Sequence, residues 1–514
     1  MDYIIVQAGG KGTRLEYLTE NKPKALVPVK NVPMIFYLFR KYSDKRFVII
    51  ADYQKEVLRE YLEVFADVKY QIVDAEGTGT ASGVQQALRL IPEKRSFMLV
   101  WSDLILPKKF ELPEEYEDDA IPVNDYIGIS GTFSCRWSYV NGELKQKRST
   151  EHGVAGLFLF REKAILKDLP ESGELVRWFA EHDFNFKEIS LAGTKEFGLL
   201  SEYQALGTEK TRPFNKITID GDILTKEPVD EQGRKLAGRE CSWYEKAKGL
   251  NISAIPKIYS TSPLRMERIH GRNIYDCHMD HEGKVQVLTK LINALHMLHE
   301  SSTVEADSFS MKEAYYSKTM NRLSKIQDLV PFGREPYITV NGRKCRNVYY
   351  HKRKLEKALE RITCNQFAFI HGDCTFSNLM IRDNGDPVLI DPRGYFGFTE
   401  LYGDVRYDWA KLYYSIVGNY DRFNLKDFSL IIGGNEGHMS EGKQLNYGEV
   451  NLEITSNGWE DCEDDFFSLT GADSWEIKLL HAVIWLSLTT YAWQDYDSVC
   501  GAFYNGLWYL EEAL

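Results

Sequence analysis

The sequence predicts an α/β fold with a doubly wound, mostly parallel sheet for residues 1–206, and a second domain of different pattern after it. Runs typical of strands lie at 3–6, 47–51, 70–73 and 97–101, and helical patterns lie at 34–41 and 55–65. Strands that alternate with helices in this way favour a parallel sheet with helices on both faces. Ligands of such sheets bind beyond the carboxyl ends of the strands, so we expect a cleft at that edge.

The second domain is predicted from a change of pattern along the chain. Residues 207–213, Gly-Thr-Glu-Lys-Thr-Arg-Pro, are typical of a short polar linker, and we assign 214–514 to the second domain. This domain begins with a predicted hairpin that turns at Asp220-Gly221-Asp222. Helical patterns follow at 288–299, beyond 355 and beyond 475, and the polar stretch 435–465 is predicted to be an irregular insertion.

The composition and the net charge indicate which partners and which cell compartment to expect. The net charge of −12 and the lack of a long Lys/Arg block argue against nucleic acid as a partner. The eight cysteines form no C-x-x-C pair, which is typical of reduced thiols in the cytoplasm. The chain begins directly with a predicted strand rather than a secretory signal, and its most apolar stretch, 479–488, is too short to cross a bilayer. We therefore expect a cytoplasmic protein with small-molecule partners and no membrane insertion; a homo-oligomer is left open.

A glycine-rich loop follows the first predicted strand. That strand, Tyr3–Val6, leads into Gln-Ala-Gly-Gly-Lys-Gly-Thr-Arg-Leu at 7–15, and Asn-Lys-Pro-Lys-Ala-Leu-Val-Pro-Val follows at 21–29. Glycines let backbone N–H groups approach a phosphate closely, and Lys11 and Arg14 add positive charge where a triphosphate would lie. The spacing is neither that of a Walker A loop nor G-x-G-x-x-G.

These segments resemble the nucleotidyltransferase family that makes nucleotide-sugars and CDP-choline, whose pattern is Gly-Gly-x-Gly-Thr-Arg-Leu followed by Pro-Lys-x-Leu-x-Pro-Val. The resemblance implies that a phosphomonoester attacks the α-phosphorus of an NTP in the presence of Mg²⁺ and expels pyrophosphate. It implies catalytic roles for Arg14 and Lys24. It implies metal-ligand roles for Asp103 and Glu202. The alternatives are that Asp103 is a turn or helix-cap residue and that Glu202 is a solvated surface residue. Nucleotide-binding roles are implied for Ala8, Gly9, Gly10, Lys11, Gly12, Thr13, Gly79, Thr80 and Ala81.

A second informative stretch lies at 370–394. It reads Ile-His-Gly-Asp-Cys-Thr-Phe-Ser-Asn-Leu-Met-Ile, then a turn, then Val-Leu-Ile-Asp-Pro-Arg-Gly. The carboxylate of Asp373 can accept a proton from an attacking hydroxyl, and the Asp-x4-Asn spacing to Asn378 matches a kinase catalytic loop. Asn378 and Asp391 offer the oxygen ligands that Mg²⁺ prefers. The alternative is a hairpin with ordinary turn residues.

This stretch resembles the aminoglycoside phosphotransferase and choline kinase family, whose members share the protein-kinase fold. The resemblance implies an α+β, two-lobed domain with a small lobe at about 214–270 and a large lobe at about 271–514. It makes Asp373 the catalytic base, and Asn378 and Asp391 the Mg²⁺ ligands. One departure is that Pro392-Arg393-Gly394 follows Asp391, whereas choline kinases tend to carry an acidic residue there.

The same resemblance extends to the predicted small lobe. Lys226 ends the second strand of the hairpin, and Glu240 is expected to begin a helix. A strand lysine paired with a helix glutamate anchors ATP phosphates in this fold, and these two residues are our candidates for the pair. Their alternative is an ordinary surface location. The segment 264–271, which contains Glu267, is expected to join the lobes and to contact adenine.

Together the two resemblances imply a bifunctional enzyme. An ATP-dependent kinase would phosphorylate a choline-, ethanolamine- or polyol-type alcohol, and the first domain would transfer NMP to the product, with CTP as the favoured nucleotide. Surface polysaccharide or lipid head-group synthesis is the expected context. A sugar kinase fused to a sugar-1-phosphate nucleotidyltransferase is one alternative, and a non-catalytic nucleotide-sensing half is another. The 30 tyrosines and 10 tryptophans could form a cage for a quaternary ammonium or pack in the core.

Overall fold

The computed structural model describes residues 1–117, 122–182, 184–204, 215–229, 231–434, 439–440 and 443–514. The chain divides into two compact units. Unit 1 comprises Met1–Glu209 with Trp493–Asp497, and unit 2 comprises Lys210–Ala492 with Ser498–Leu514. The linker predicted at 207–213 lies outside the described residues, so the domain boundaries drawn from the sequence remain predictions.

The strands of unit 1 are two to seven residues long. They are β1 Tyr3–Gln7, β2 Pro28–Val29, β3 Val32–Pro33, β4 Arg46–Ala51, β5 Lys69–Asp74, β6 Phe97–Trp101, β7 Leu104–Ile105, β8 Tyr126–Ile129, β9 Ser138–Val140, β10 Glu143–Lys145, β11 Val154–Phe160, β12 Lys187–Ser190 and β13 Lys195–Glu196. The helices are α1 Met34–Lys41, α2 Lys55–Phe65, α3 Val84–Arg89, α4 Glu114–Glu117, α5 Leu175–Glu181 and α6 Leu200–Gln204.

Seven of these strands form one mixed sheet, in the order β12-β8-β11-β6-β1-β4-β5. The strand β1 lies between β4 and β6 and is parallel to both, and β4 is parallel to β5. The later strand β11 is antiparallel to β6 and β8. The parallel half is therefore built from the strands that alternate with helices in the sequence, and the α/β fold predicted for the N-terminal domain is confirmed.

The core of unit 1 explains why its central strands are continuous apolar runs. Ile4, Ile5 and Val6 of β1 are 0% exposed, and Phe97–Val100 of β6 are equally buried. A parallel strand covered on both faces has no solvent side on which polar residues would alternate. The first polar residues therefore lie where each strand ends, which places the glycine-rich loop and Asp103 at the same edge of the sheet.

In the described part of unit 2, short strands outnumber the helices. Its strands are β14 Asn215–Asp220, β15 Ile223–Pro228, β16 Ile258–Thr261, β17 Leu264–Glu267, β18 Gly271–Asn273, β19 Thr303–Glu305, β20 Tyr337–Val340, β21 Arg343–Arg346, β22 Gln366–Phe369, β23 Leu379–Arg382, β24 Pro387–Leu389, β25 Tyr395–Phe396, β26 Thr399–Glu400, β27 Tyr402–Gly403, β28 Phe428–Ile432, β29 Met439–Ser440, β30 Lys443–Gln444 and β31 Glu449–Ile454.

The helices after residue 209 are α7 Glu231–Gly249, α8 His281–Glu300, α9 Ser308–Lys312, α10 Lys318–Ile326, α11 Val348–Leu359, α12 Val405–Ile416, α13 Tyr420–Asn424, α14 Glu463–Thr470, α15 Ser474–Leu488 and α16 Tyr496–Ala513. A π-helical turn, Glu313–Ser317, joins α9 to α10. None of the helices in the described part of the chain combines the length and the apolarity that a membrane crossing requires.

An antiparallel sheet in the order β14-β15-β17-β16 begins unit 2, and α7 packs against β15. The hairpin of β14 and β15 turns at Gly221 and Asp222, as the sequence predicts. The expected start of the next helix at Glu240 is wrong, because α7 begins at Glu231 and Glu240 lies in its middle. The interpretation of 435–465 as irregular is also wrong in part, since β31 pairs with β28 and β20 there.

Candidate functional site

In unit 1, the loop after β1 lies close to two neighbouring segments because its glycines lack side chains. A Cβ on Gly9 would lie 2.6 Å from Cβ of Asp52, and one on Gly12 would lie 3.1 Å from Cβ of Lys24. Gly12 also has a φ of +66°, a left-handed conformation that favours glycine. The loop therefore approaches Lys24, and Gly10, with open space around it, is accessible from outside.

Beside this loop, Lys24 forms an ion pair with Asp103. The Nζ atom of Lys24 donates to Oδ2 of Asp103, and both side chains are 12% exposed. The other carboxylate oxygen of Asp103, Oδ1, is buried and receives no hydrogen bond from any described residue. A buried carboxylate oxygen without a donor costs free energy unless a cation or a ligand compensates it. Asp103 therefore fits the chemistry of a Mg²⁺ ligand.

The Gly79–Ala81 segment lies against the same end of β1. The side-chain amide of Gln7 donates to the carbonyl oxygens of Thr80 (2.7 Å) and Ser82 (2.9 Å). Gly79 has a φ of +83°, and the Ala81 side chain is buried in the core. Gln7 was not identified from the sequence; its signal is a polar residue at the end of an otherwise buried strand.

The remaining predicted residues of unit 1 are less closely grouped. Lys11, Thr13 and Arg14 are exposed, and Lys11 lies 5.4 Å from the centre of the Tyr53 ring. Glu202 falls on α6, and its side chain is outside the part of the chain that the structure describes. The roles of these residues remain predictions, and the structure brings only Lys24 and Asp103 of the polar set into direct contact.

In unit 2, Asp373 lies among several of the residues that the sequence singles out. The amide nitrogen of Asn378 donates to the main-chain oxygen and to Oδ2 of Asp373, at 3.0 Å each. Nζ of Lys411 lies 3.0 Å from Oδ1 of Asp373, whose side chain is 36% exposed and thus accessible to a substrate. Burial alone would raise the pKa of Asp373, but the positive charges of Lys411 and Arg393 outweigh it and hold the pKa below its usual value. Asp373 is therefore an ionised, reachable proton acceptor.

The predicted pair of Lys226 and Glu240 is formed and includes Asp391. Nζ of Lys226 lies 2.8 and 2.7 Å from the carboxylate oxygens of Glu240 and 2.8 Å from Oδ1 of Asp391. Burial alone would lower the pKa of Lys226, but the carboxylates of Asp391 and Glu240 outweigh it and raise the pKa. Asp391 has a φ of +54°, a strained conformation for a residue with a side chain. The side chains of Lys226 on β15, Glu240 on α7 and Asp391 after β24 therefore form one set of interacting charges.

Asn378 and Asp391 also fit the ligand set of Mg²⁺. The described contacts of the Asn378 side chain use its nitrogen, so its amide oxygen has no donor among the described residues. The main-chain N–H of Ile390 donates to the main-chain oxygen of Asn378 at 3.0 Å, which holds the two segments side by side. Amide and carboxylate oxygens are ligands that this ion prefers.

The backbone of the loop before Asp373 is held by the buried carboxylate of Asp408. Asp408 accepts hydrogen bonds from the main-chain N–H groups of His371 (2.8 Å) and Gly372 (2.6 Å), and His299 lies 2.9 Å from it. Burial alone would raise the pKa of Asp408, but the His299 ring outweighs it and the pKa is lowered. Asp408 and Lys411 lie three residues apart on α12, so one face of this helix supports the loop and contacts Asp373.

We expect Asp408→Ala to destabilise unit 2 strongly. The substitution leaves two buried N–H groups without an acceptor, and breaking such a buried charged network costs roughly 3–5 kcal/mol. Urea unfolding of the full chain measures the change. Asp473→Ala is the matched control, because Asp473 caps α15 through one hydrogen bond at an exposed position, and loss of a cap costs about 1 kcal/mol. Equal decreases in the free energy of unfolding for the two variants would contradict the conclusion that Asp408 supports the loop from a buried position.

Glu267 lies in the segment that is predicted to contact adenine, but its side chain binds other residues of the protein. Its carboxylate oxygens pair with Arg382 at 2.5 and 3.0 Å, and the main-chain N–H of Lys257 donates to it at 3.1 Å. The first of these contacts holds the pKa of Glu267 below its usual value. The backbone of 264–267 is β17, so any contribution to nucleotide binding would come from the main chain.

Comparisons with known proteins support the interpretation of the first unit. A family model for nucleotidyl transferases matches residues 3–118. The bifunctional protein GlmU of Methanococcus maripaludis is 32% identical over 120 residues, which cover 23% of this chain and 28% of that protein. The D-glycero-alpha-D-manno-heptose 1-phosphate guanylyltransferase of Campylobacter jejuni is 28% identical over 93 residues, or 17% of this chain and 42% of that protein. The inositol-1-phosphate CTP transferase of T. maritima has a TM-score of 0.32 and 18% identity, covering 40% of this chain and 95% of its own.

The fold of unit 1 and the matched family define a transferase domain of the α/β class. More particularly, the N-terminal part of the chain carries a nucleotidyltransferase domain. The chain spans little more than a quarter of the length of the GlmU relative that it matches, and the residues matched by the family model, 3–118, end before unit 2 begins.

Proposed function

We propose that the protein is a bifunctional enzyme that phosphorylates a small alcohol with ATP and then couples the phosphate to a nucleotide. Unit 2 would act as the kinase and unit 1 as the nucleotidyltransferase, each with Mg²⁺. The observation that carries this proposal is the presence of two separate groups of charged residues, Lys24 with Asp103 and Asp373 with its neighbours. Neither group shares a residue with the other, so we expect two independent reactions.

In the kinase reaction, a hydroxyl oxygen of the acceptor would attack the γ-phosphorus of ATP. The new O–P bond forms as the bond from the γ-phosphorus to the β,γ-bridging oxygen breaks, and ADP leaves. Asp373 would accept the hydroxyl proton, because it is ionised and within reach of a substrate. Lys226, held by Glu240, would contact the phosphates. Asn378 and Asp391 would hold Mg²⁺, which neutralises phosphate charge when it is bound.

In the nucleotidyl transfer, a phosphate oxygen of the phosphorylated acceptor would attack the α-phosphorus of an NTP. The bond from the α-phosphorus to the α,β-bridging oxygen breaks, and pyrophosphate leaves. The loop of Ala8–Thr13 would surround the triphosphate with N–H groups, and Arg14 and Lys24 would supply positive charge. Asp103 would bind Mg²⁺ through the oxygen that has no other partner. Gly79, Thr80, Ala81 and Glu202 keep their predicted roles within this proposal.

The order of the two reactions follows from their chemistry, because a nucleotidyltransferase needs a phosphomonoester and a kinase makes one. On the resemblance of the sequence motifs we favour CTP as the nucleotide, and those motifs alone predict an alcohol of the choline, ethanolamine or polyol type as the acceptor. The product would be a nucleotide-linked head group for surface polysaccharide or lipid synthesis. A second candidate is a sugar acceptor, which the heptose 1-phosphate guanylyltransferase relative favours.

A metabolite screen tests the proposal directly. The full chain is incubated with Mg²⁺, ATP, a mixture of alcohols and one ribonucleoside triphosphate at a time, and the products are identified by mass spectrometry. We expect one triphosphate to give a nucleotide-linked product that depends on ATP, together with pyrophosphate. Omission of Mg²⁺ should abolish both steps. A nucleotide-linked product from an unphosphorylated alcohol without ATP would contradict the proposed order.

A further inference from the structure

Three positively charged side chains of unit 2 contact tyrosine rings and form no ion pair with a carboxylate of the described residues. We call Lys318, Arg322 and Arg393 the cationic cluster. All three are half-buried, and among the described residues no carboxylate lies within ion-pair distance of any of them. Like charges gathered in a partly desolvated place repel one another and favour an anion among them.

Shared aromatic neighbours connect the members of the cationic cluster. The guanidinium of Arg393 donates to the hydroxyl groups of Tyr407 (2.6 Å) and Tyr395 (2.7 Å). Nζ of Lys318 lies 5.9 Å from the centre of the same Tyr407 ring. Arg322 follows Lys318 by one helical turn on α10, so the two lie on one face of this helix. Burial and the charges of Arg393, Arg322 and Lys411 lower the pKa of Lys318 well below its usual value.

The cationic cluster lies at the same centre as Asp373. Nζ of Lys411 lies 3.0 Å from Oδ1 of Asp373, and the main-chain N–H of Arg393 donates to the main-chain oxygen of His371, two residues before Asp373, at 2.9 Å. Tyr407, which contacts both Lys318 and Arg393, lies on α12 one helical turn before Lys411. The pair that we assign to ATP phosphates, Lys226 on β15 and Glu240 on α7, lies on other elements than Lys318 and Arg322 of α10. The cationic cluster is therefore placed for a second molecule rather than for the nucleotide.

The same contacts argue against a cationic acceptor. A quaternary ammonium binds over the open faces of aromatic rings. Here the rings near Asp373 already face the protein's own cations: Arg393 lies 4.4 Å from the centre of Tyr395, Lys411 lies 5.3 Å from that of Tyr414, and Arg322 lies 6.0 Å from that of Tyr491. A choline would meet like charges at each of them, so a choline cage does not form from these tyrosines.

We infer that the cationic cluster binds an anionic group of the kinase acceptor, a carboxylate or a phosphate, which makes the acceptor an anionic alcohol. This inference rests on the proposed kinase function of unit 2. It assigns a specificity role to Lys318 and Arg322, which no sequence motif marks. Arg393 follows Asp391 by two residues, so the segment that carries a predicted metal ligand also carries one positive charge of the cationic cluster.

The test uses the full chain and three-carbon probes that differ in charge: glycerol, D-glycerate and glycerol 3-phosphate, with choline as the cationic comparison. Binding of each probe is titrated calorimetrically without ATP, and KM for acceptor and for ATP is measured where a probe is phosphorylated. Lys318→Met and Arg322→Met remove one charge each, and Arg322→Lys retains it. Lys325→Met is the matched control, because Lys325 lies on the same helix at an exposed position.

We expect D-glycerate or glycerol 3-phosphate to bind, and the better of the two identifies the anion as carboxylate or phosphate. Lys318→Met and Arg322→Met should each weaken that binding by roughly tenfold or more, while Arg322→Lys and Lys325→Met change it by less than about threefold. The KM for ATP should stay constant. Glycerol or choline binding as tightly as the anions, no anion binding at millimolar concentration, or a rise in the KM for ATP instead would overturn the inference. Anion binding without phosphorylation of any probe would support this inference and count against the proposed kinase activity.

Discussion

Asp373→Asn is expected to abolish ATP-dependent phosphorylation of the acceptor and to leave nucleotidyl transfer intact. The amide keeps the shape and the contact with Asn378 but cannot accept the hydroxyl proton, and loss of a general base lowers the rate by roughly 10²- to 10⁴-fold. The kinase rate is measured as ADP formation that depends on the acceptor. Nucleotidyl transfer is measured as pyrophosphate release with the phosphorylated acceptor supplied.

Asp383→Asn is the matched control for this variant, because Asp383 is exposed in the turn between β23 and β24. It should leave both rates unchanged. Loss of both reactions in Asp373→Asn would mean that the two groups of charged residues are not independent. An unchanged kinase rate would remove Asp373 from the reaction.

Lys24→Met and Asp103→Asn are expected to have the opposite effect. Lys24 would stabilise charge on the triphosphate, and Asp103 would bind Mg²⁺ through an oxygen that has no other partner. Removal of one such group at a reacting centre lowers the rate by roughly 10²- to 10³-fold. Pyrophosphate release should fall by that factor in each variant, and ADP formation by the kinase should stay at the wild-type rate.

The exposed residues Lys109 and Asp67 provide the controls for this second pair, as Lys109→Met and Asp67→Asn. Both should release pyrophosphate at the wild-type rate. If Lys24→Met and Asp103→Asn also did so, the pair would be a structural ion pair and the glycine-rich loop would need another catalytic group. Because the two residues contact each other, the double variant should lose less than the product of the two single effects.

The sequence predicts the regular elements of unit 1 closely because burial and periodicity act on the same residues there. The helices α1 and α2 and the strand β6 have the predicted bounds, since each is an apolar run or an amphipathic repeat. The sequence does not predict the start of α7, because neither burial nor periodicity marks the residues there. Residues 231–239 are mostly exposed, and two glycines interrupt them, so the first half of this helix has no apolar stripe.

Some residues of the candidate sites lie close together in the sequence, whereas others are brought together only by the fold. Asp373, Asn378 and Asp391 lie within 19 residues of sequence and carry a recognisable spacing. Lys226 and Glu240 were paired from the fold that the motifs imply, and they do contact each other. The cationic cluster joins residues from α10 and from the segment after β24, which only tertiary packing brings together. No local pattern of charge or spacing could have identified it.

The π-helical turn before α10 has a consequence for how the acceptor preference could change over time. A turn of this kind contains one more residue than the α-helical turn it replaces, and such turns occur frequently at functional sites. Deletion of a single codon within Glu313–Ser317 would restore regular α-helix and rotate everything after it by about 100°. Lys318 and Arg322 would then leave their present face together. We therefore expect one small genetic event in this segment to weaken the proposed anion binding without altering Asp373.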